Sequence, residues 1–198
     1  TDDTVEIVKS LSPESTILSL LPTGLYNAIN YAIEHAVKTP FVTYLHSDDE
    51  IDEDYLFHMV KELQRFPDRN AVIVGTVSFI DEGGSELYSR HPPIYFERLQ
   101  RKNNLIFHPN AVYPTNLERQ FPYQQDKYQR ASDTHHILEI MNSGKHVRIP
   151  KAVYKFRISD SSLTLNDGQS EEVQKLLREK VALYQFKLRQ TALRESIK

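Results

Sequence analysis

At 198 residues, 39% apolar and 26% charged, the chain has the length and composition of one soluble globular domain with a proper core. A formal net charge of -3 gives no reason to expect a nucleic acid partner, and the absence of cysteine excludes a disulfide framework, thiolate-bound zinc and a cysteine nucleophile. Without cysteine the redox compartment is undetermined, with cytoplasm as the default; no apolar run approaches the ~20 residues that span a bilayer, and the start Thr1-Asp2-Asp3-Thr4 is not a signal peptide.

Thr1 to Leu11 carries Val5, Ile7, Val8 and Leu11 behind the capping candidates Asp2 and Asp3, the pattern of a short amphipathic helix that Pro13 ends. Thr16 to Leu21 reads as a short strand closed by Pro22 and Gly24, and Leu25 to Val37 has the apolar spacing of a helix. Phe41 to His46, β-branched and aromatic, predicts a strand buried on both faces. A helix is expected from Glu53 to Phe66, with Tyr55, Leu56, Met59, Val60 and Leu63 on one face and Pro67 as its stop.

Ala71 to Ile80 is a second buried strand, and Asp81-Glu82-Gly83-Gly84 reads as a hairpin turn that returns Glu86 to Arg90 antiparallel. A turn-rich middle follows, with a helix expected near Ile94 to Lys102. Ser132-Asp133 then cap a helix from Thr134 to Asn142, and Val147 to Ile158 reads as one or two strands broken at Pro150. From Glu171 to Ser196, Val173, Leu176, Leu177, Val181, Tyr184 and Leu188 mark a long amphipathic helix. Helix and strand alternating through Ile80 is the signature of crossover units on a parallel sheet, so the fold class is α/β.

The stretch from Phe41 to Glu50 ends abruptly in adjacent carboxylates. Ligands in open α/β sheets sit at the carboxyl ends of strands. Hard oxygen ligands such as Asp48 and Asp49 hold Mg²⁺ or Mn²⁺ when phosphate supplies the remaining ligands. Ser47, Asp48 and Asp49 equally suit the cap of the helix expected from Glu53. Glu50, Asp52, Glu53 and Asp54 read as a solvated face that suits that helix's N-terminal dipole.

Four local patterns occur in a telling order: Thr1-Asp2-Asp3-Thr4 before a helix, Gly24-Leu25-Tyr26-Asn27-Ala28-Ile29-Asn30 at a helix start, His46-Ser47-Asp48-Asp49 after a strand, and Ala131-Ser132-Asp133 before a helix. Together they resemble the GT-A glycosyltransferases of family 2, inverting enzymes of the kind that build bacterial surface polysaccharides. The resemblance implies a GT-A-like three-layer sandwich with a mostly parallel mixed sheet over residues 1–165. Residues 166–198 are then a C-terminal amphipathic helical extension, which docks on its own domain, pairs with another copy, or lies on an anionic membrane. The resemblance also implies that the chain, which does not begin with Met, starts inside the family's acidic Ser- and Thr-rich turn, so that the N-terminal part of the nucleotide-binding unit is missing.

By the same resemblance Asp49 binds Mn²⁺ or Mg²⁺, Asp48 assists as a second metal ligand or holds the donor ribose, and Asp133 is the base that takes the acceptor proton. Residue by residue, Asp133 is also an ordinary N-cap. Gly24, Asn27 and Asn30 are expected at the donor diphosphate, where a helix N-terminus offers free amides, with Tyr26 as packing. Arg157 is a further candidate phosphate contact, and His108 and Asn110 fall near the acceptor side. His46, His135 and His136 read as structural.

The implied activity is metal-dependent transfer of a sugar from a nucleotide diphosphate sugar to a saccharide or lipid-linked acceptor in polysaccharide or glycoconjugate synthesis. It belongs in the cytoplasm or peripherally at the inner face of the membrane. Two other readings stay open: a non-catalytic GT-A-like domain acting in assembly or binding, and a nucleotidyltransferase-type enzyme, although no Gly-rich phosphate loop is visible.

Overall fold

The computed structural model describes residues 3–66, 71–92, 107–129, 131–141, 143 and 145–158. Among them are six strands, β1 Phe41–Thr43, β2 Glu50–Ile51, β3 Ala71–Ile80, β4 Glu86–Arg90, β5 Ala111–Pro114 and β6 Lys145–Arg157. The α-helices are α1 Thr4–Leu11, α2 Leu25–His35, α3 Tyr55–Leu63, α4 Thr115–Gln120 and α5 Ser132–Met141, and a 3-10 turn at His108–Asn110 leads into β5.

The strands form one mixed sheet in the order β1-β5-β3-β6-β2, with β4 also paired to β3. β5 is antiparallel to both β1 and β3, so those two run in the same direction, as a crossover through α3 requires. β6 runs parallel to β3 along its length. The sheet is mixed as expected, but among the described residues β3 with β6 is its one parallel ladder, because β5 is wedged between strands that sequence order alone would make neighbours.

β3 holds the layers together. All ten of its residues are buried, as an unbroken apolar run predicts. Alternation along the strand sends Val72 and Val74 into a core with Tyr113, Leu117, Ile137, Ile140 and Met141 under α4 and α5. Ile73 goes to the opposite core with Tyr55, Met59, Val112 and Tyr154 under α3. Burying each such aliphatic side chain stabilises by about 1.5–3 kcal/mol.

Pro150 does not break β6. The register shifts there: β3 advances from Val74 to Thr76 while β6 advances from Arg148 to Val153, so the proline sits in a bulge where no ladder donor is needed. Its carbonyl accepts from Thr76 Oγ1 at 2.8 Å. Opposite the bulge, a Cβ on Gly75 would lie 2.4 Å from Ala152 O, so only glycine fits that approach. The Asp81 to Gly84 hairpin and the antiparallel return of β4 are as expected, with Ser85 N donating to Asp81 Oδ1 at 2.8 Å.

Three expectations are corrected. Thr16 to Leu21 forms no strand, because no described strand lies alongside it to complete a ladder, and Leu18, Leu20 and Leu21 are exposed. The strand expected over Phe41 to His46 is only three residues long and half-buried, since β1 lies at the sheet edge with β5 as its one described partner. On α3, Tyr55 and Met59 are buried but Leu56 and Val60 are exposed. The helices expected near Ile94 to Lys102 and Glu171 to Ser196 lie outside the described residues. No helix among the described residues is long and apolar enough to cross a membrane.

Candidate active site

Beyond β1 the chain turns, with the Asp49 amide donating to His46 O at 3.2 Å, and sets Asp48 and Asp49 on the carboxyl side of that strand. They are not helix caps. β2 follows directly, and the cap position of α3 belongs to Asp54.

Asp49 is 8% exposed and both its oxygens are bonded: Tyr154 OH donates to Oδ2 at 2.6 Å and the Arg157 amide donates to Oδ1 at 2.9 Å. Burial pushes its carboxyl above the ordinary range, opposed by the Tyr154 and Arg157 bonds. Tyr154 also accepts from the His46 amide at 3.3 Å, and burial together with its bond to Asp49 holds the phenol protonated. Asp48 is exposed. The pair therefore divides into one pinned carboxylate and one open to solvent.

Arg157 fastens this turn to the β3–β4 hairpin. Its Nε donates to Asp48 O at 2.9 Å, its Nη1 to Asp81 O at 3.0 Å and Glu82 O at 2.9 Å, and its Nη2 to the Glu50 carboxylate. Every guanidinium nitrogen is thus engaged within the chain. In this structure Arg157, the candidate phosphate contact, clamps the backbone that carries the acids.

At the start of α2, where the donor diphosphate is expected, a side chain takes two of the free amides. Gly24, at φ +103°, precedes the helix, and Gln125 Oε1 accepts from Tyr26 N at 3.0 Å and Asn27 N at 3.4 Å. A Cβ on Gly24 would lie 2.0 Å from Gln125 Nε2. Asn27 Nδ2 donates to Thr23 O at 2.9 Å. Asn30 forms a reciprocal pair with the Tyr123 backbone, donating to its carbonyl at 2.8 Å and accepting from its amide at 2.9 Å. Tyr26 stacks on the Tyr123 ring with centroids 5.3 Å apart, as its packing role implies. All three expected donor-site residues are held by the segment around Tyr123 and Gln125 or by their own loop.

Asp133 lies in the first turn of α5, where its Oδ1 accepts from Thr134 N at 2.6 Å and Thr134 Oγ1 at 3.3 Å. Since α5 begins at Ser132, Asp133 is inside the helix rather than at its cap. Burial raises its carboxyl above the ordinary range, against the Thr134 bonds and the charge of His136, which lower it.

Between the acidic turn and α5 lies a buried polar cluster. Tyr44 OH donates to Glu118 Oε2 at 2.5 Å, and Glu118 Oε1 is 2.9 Å from His136 Nε2. His108 Nε2 bonds to Tyr123 OH, while Asn110 Nδ2 donates to Gly75 O at 2.8 Å. His108 is held neutral, well below its ordinary value, by burial and then by the charges of His136 and His46. Both residues expected near the acceptor are therefore buried, and His135 stacks on Tyr128 at 4.6 Å.

Among the described residues no three or more His, Asp or Glu side chains gather into a self-sufficient metal site. What Asp48 and Asp49 offer is hard carboxylate oxygen at a strand end, with Asp48 the more accessible. That donor set fits a Mg²⁺- or Mn²⁺-like cation only where phosphate and water complete the shell.

Residues 1–124 match Glycosyl transferase family 2. The chain belongs to that family. No curated protein matches it. A family 2 glycosyltransferase moves a sugar from a nucleotide sugar donor to an acceptor, and the matched span includes Gly24, Asn27, Asn30, Asp48 and Asp49. Asp133, Tyr154 and Arg157 lie beyond the matched residues, yet the fold delivers Tyr154 and Arg157 to Asp49.

Within this family 2 domain, sequence reasoning missed Tyr154, Gln125, Tyr44 and Glu118 as parts of the site's support. Tyr154 has a weak local signal, a tyrosine in a strand that needs a partner for its hydroxyl. Gln125 has none, since its role exists only once residues 24 and 125 meet.

Proposed function

We propose that the chain transfers a sugar, with inversion at C1, from a nucleotide diphosphate sugar to a hydroxyl of a saccharide or lipid-linked acceptor in polysaccharide or glycoconjugate synthesis, with Mn²⁺ or Mg²⁺ as cofactor. The observation that carries this reading is the contrast between two acids. Asp48 is exposed on a clamped turn, and Asp133 is a carboxyl whose proton affinity burial has raised. An open carboxylate on a fixed backbone suits a cation shared with phosphate. A carboxylate with raised proton affinity suits a general base near neutral pH.

In the transfer, the acceptor oxygen forms its bond to C1 as the bond from C1 to the diphosphate oxygen breaks. The acceptor proton passes to the Asp133 carboxylate, and the bonding electron pair leaves with the nucleoside diphosphate. A cation bound there would offset the charge developing on that leaving group. Asp48, with Asp49 behind it, would hold the cation. Gly24, Asn27, Asn30 and Arg157 line the donor side, where Asn27, Asn30 and Arg157 also bond within the chain.

Calorimetric titration of the chain with UDP, GDP and dTDP, in Mn²⁺ and again in chelator, tests the donor half. Binding that requires metal is expected for one nucleotide, and binding indifferent to chelator would contradict the cofactor assignment. For the chemical half, Asp133→Asn should abolish transfer while leaving donor binding nearly intact. Full turnover in that variant would remove Asp133 from the role.

A further inference from the structure

The polar cluster beside Asp133 holds two fully buried titratable groups that the proposed transfer does not use. The Glu118 and His136 side chains are both 0% exposed and meet at 2.9 Å. The other ring nitrogen of His136, Nδ1, lies 2.6 Å from Phe121 O. A carbonyl oxygen only accepts, so Nδ1 carries a hydrogen. Nε2 faces Glu118 Oε1, and Glu118 Oε2 accepts from Tyr44 OH at 2.5 Å. With Nδ1 already protonated, the single hydrogen between Nε2 and Glu118 Oε1 sits on one of the two groups, and on Nε2 it makes the pair an imidazolium beside a carboxylate.

His136 is three residues beyond Asp133 on α5, and side chains at that spacing share a helix face. Apart from the carboxyls of Glu118 and Asp133, the groups packed around the imidazole are aromatic rings. Tyr123 stacks on it at 3.9 Å, Tyr113 of β5 lies at 6.1 Å, and His108 of the 3-10 turn lies at 6.2 Å. The phenols of Tyr113 and Tyr123 are kept neutral by burial first and then by the negative charge of Glu118. His108 is kept neutral by burial and then by the charge of His136.

We propose that Glu118 and His136 form a buried positioning pair, in which Glu118 fixes a permanent positive charge on His136 and that charge keeps the Asp133 carboxylate ionised for its work as base. The pair rests on the reading of Asp133 given above. It also ties the two halves of the site together, because Tyr44, which completes the Glu118 bonding, stands two residues ahead of His46 at the mouth of the acidic turn. A cation on His136 works against the burial that raises the Asp133 carboxyl.

Two spectroscopic measurements on the full chain test the pair without any substrate. With ¹⁵N-labelled histidine, His136 should show two protonated ring nitrogens at neutral pH, and one protonated nitrogen overturns the proposal. With ¹³C-labelled aspartate, the Asp133 carboxyl should titrate at higher pH in His136→Gln and in the near-isosteric Glu118→Gln than in the wild type. An unmoved midpoint in either variant that folds overturns it. A general packing defect would not shift that one carboxyl selectively, so Asp49 serves as the internal control. Should Asp133→Asn retain full turnover while these shifts appear, the base role fails and the electrostatic coupling stands.

Discussion

Asp133 is more costly to the fold as a carboxylate than as an acid. A carboxyl whose folded pKa lies above its unfolded value binds its proton more tightly when folded, so its contribution favours the folded state at low pH and is lost as pH rises through the window above the unfolded value of ~3.9. Burial sets that direction for Asp133, with the Thr134 bonds and His136 reducing it. Asp133→Asn should therefore melt at a higher temperature than the wild type at pH 7 and show no such advantage at about pH 3. A variant less stable than the wild type at neutral pH would contradict this sign. Arg157 makes the opposite kind of demand, for shape rather than charge. Its nitrogens reach Asp48 O, Asp81 O, Glu82 O and the Glu50 carboxylate in different directions, and a lysine ammonium on one nitrogen cannot span them. Arg157→Lys is expected to weaken metal-dependent nucleotide binding nearly as much as Arg157→Ala, by about tenfold or more for loss of charge-assisted bonds. Calorimetry in which lysine keeps wild-type affinity would point to a simple phosphate contact instead.

At the level of elements, α2 shows how one side chain replaces a ligand. Gln125 takes the free amides of Tyr26 and Asn27 that a helix start leaves unpaired. Gln125→Ala should cost about 1 kcal/mol, the usual worth of a lost helix cap. Gly24→Ala should cost more, since it adds a clash with Gln125 to the strain of φ +103°. The clash is with the end of a flexible side chain, so the double variant should be less destabilised than the sum of the two singles. Denaturant melts of all three give the coupling, and strict additivity would sink the assigned contact. Local pattern made β3, the hairpin, α2 and α3 legible, because an unbroken apolar run or a helical period is decided by the residues themselves. The segment Thr16 to Leu21 has the same apolar run, but a strand exists only where a neighbour completes its ladder, and no local signal carries that information. Pro150 misled for a related reason: it marks a break in the ladder, and β6 absorbs the break as a bulge opposite Gly75.

For the whole molecule, the acids Asp48, Asp49 and Asp133 were visible in the sequence as short motifs in order, whereas the groups that tune them were not. Tyr154 reaches Asp49 and Glu118 reaches Tyr44 across large sequence separations, and only the assembled sheet and helices bring them together. The same dispersal governs metal binding. Since no described cluster of three or more His, Asp or Glu residues forms, Mn²⁺ alone should leave the melting temperature unchanged, while Mn²⁺ with the cognate nucleoside diphosphate should raise it. A clear stabilisation by Mn²⁺ without nucleotide would reveal a preformed protein site and refute that picture.

The wedge of β5 between β1 and β3 sets an order of assembly during synthesis. β1 leaves the ribosome early, yet its described ladder partner is residues 112–114, and the bonds that fix Asp49 come from Tyr154 and Arg157 later still. Loop closure over such distances slows folding. The acidic turn therefore stays unfastened on the nascent chain until β6 has emerged and docked along β3. A ribosome paused before residue 154 would present a β3–β4 hairpin already able to form, but no clamped turn for a donor to find.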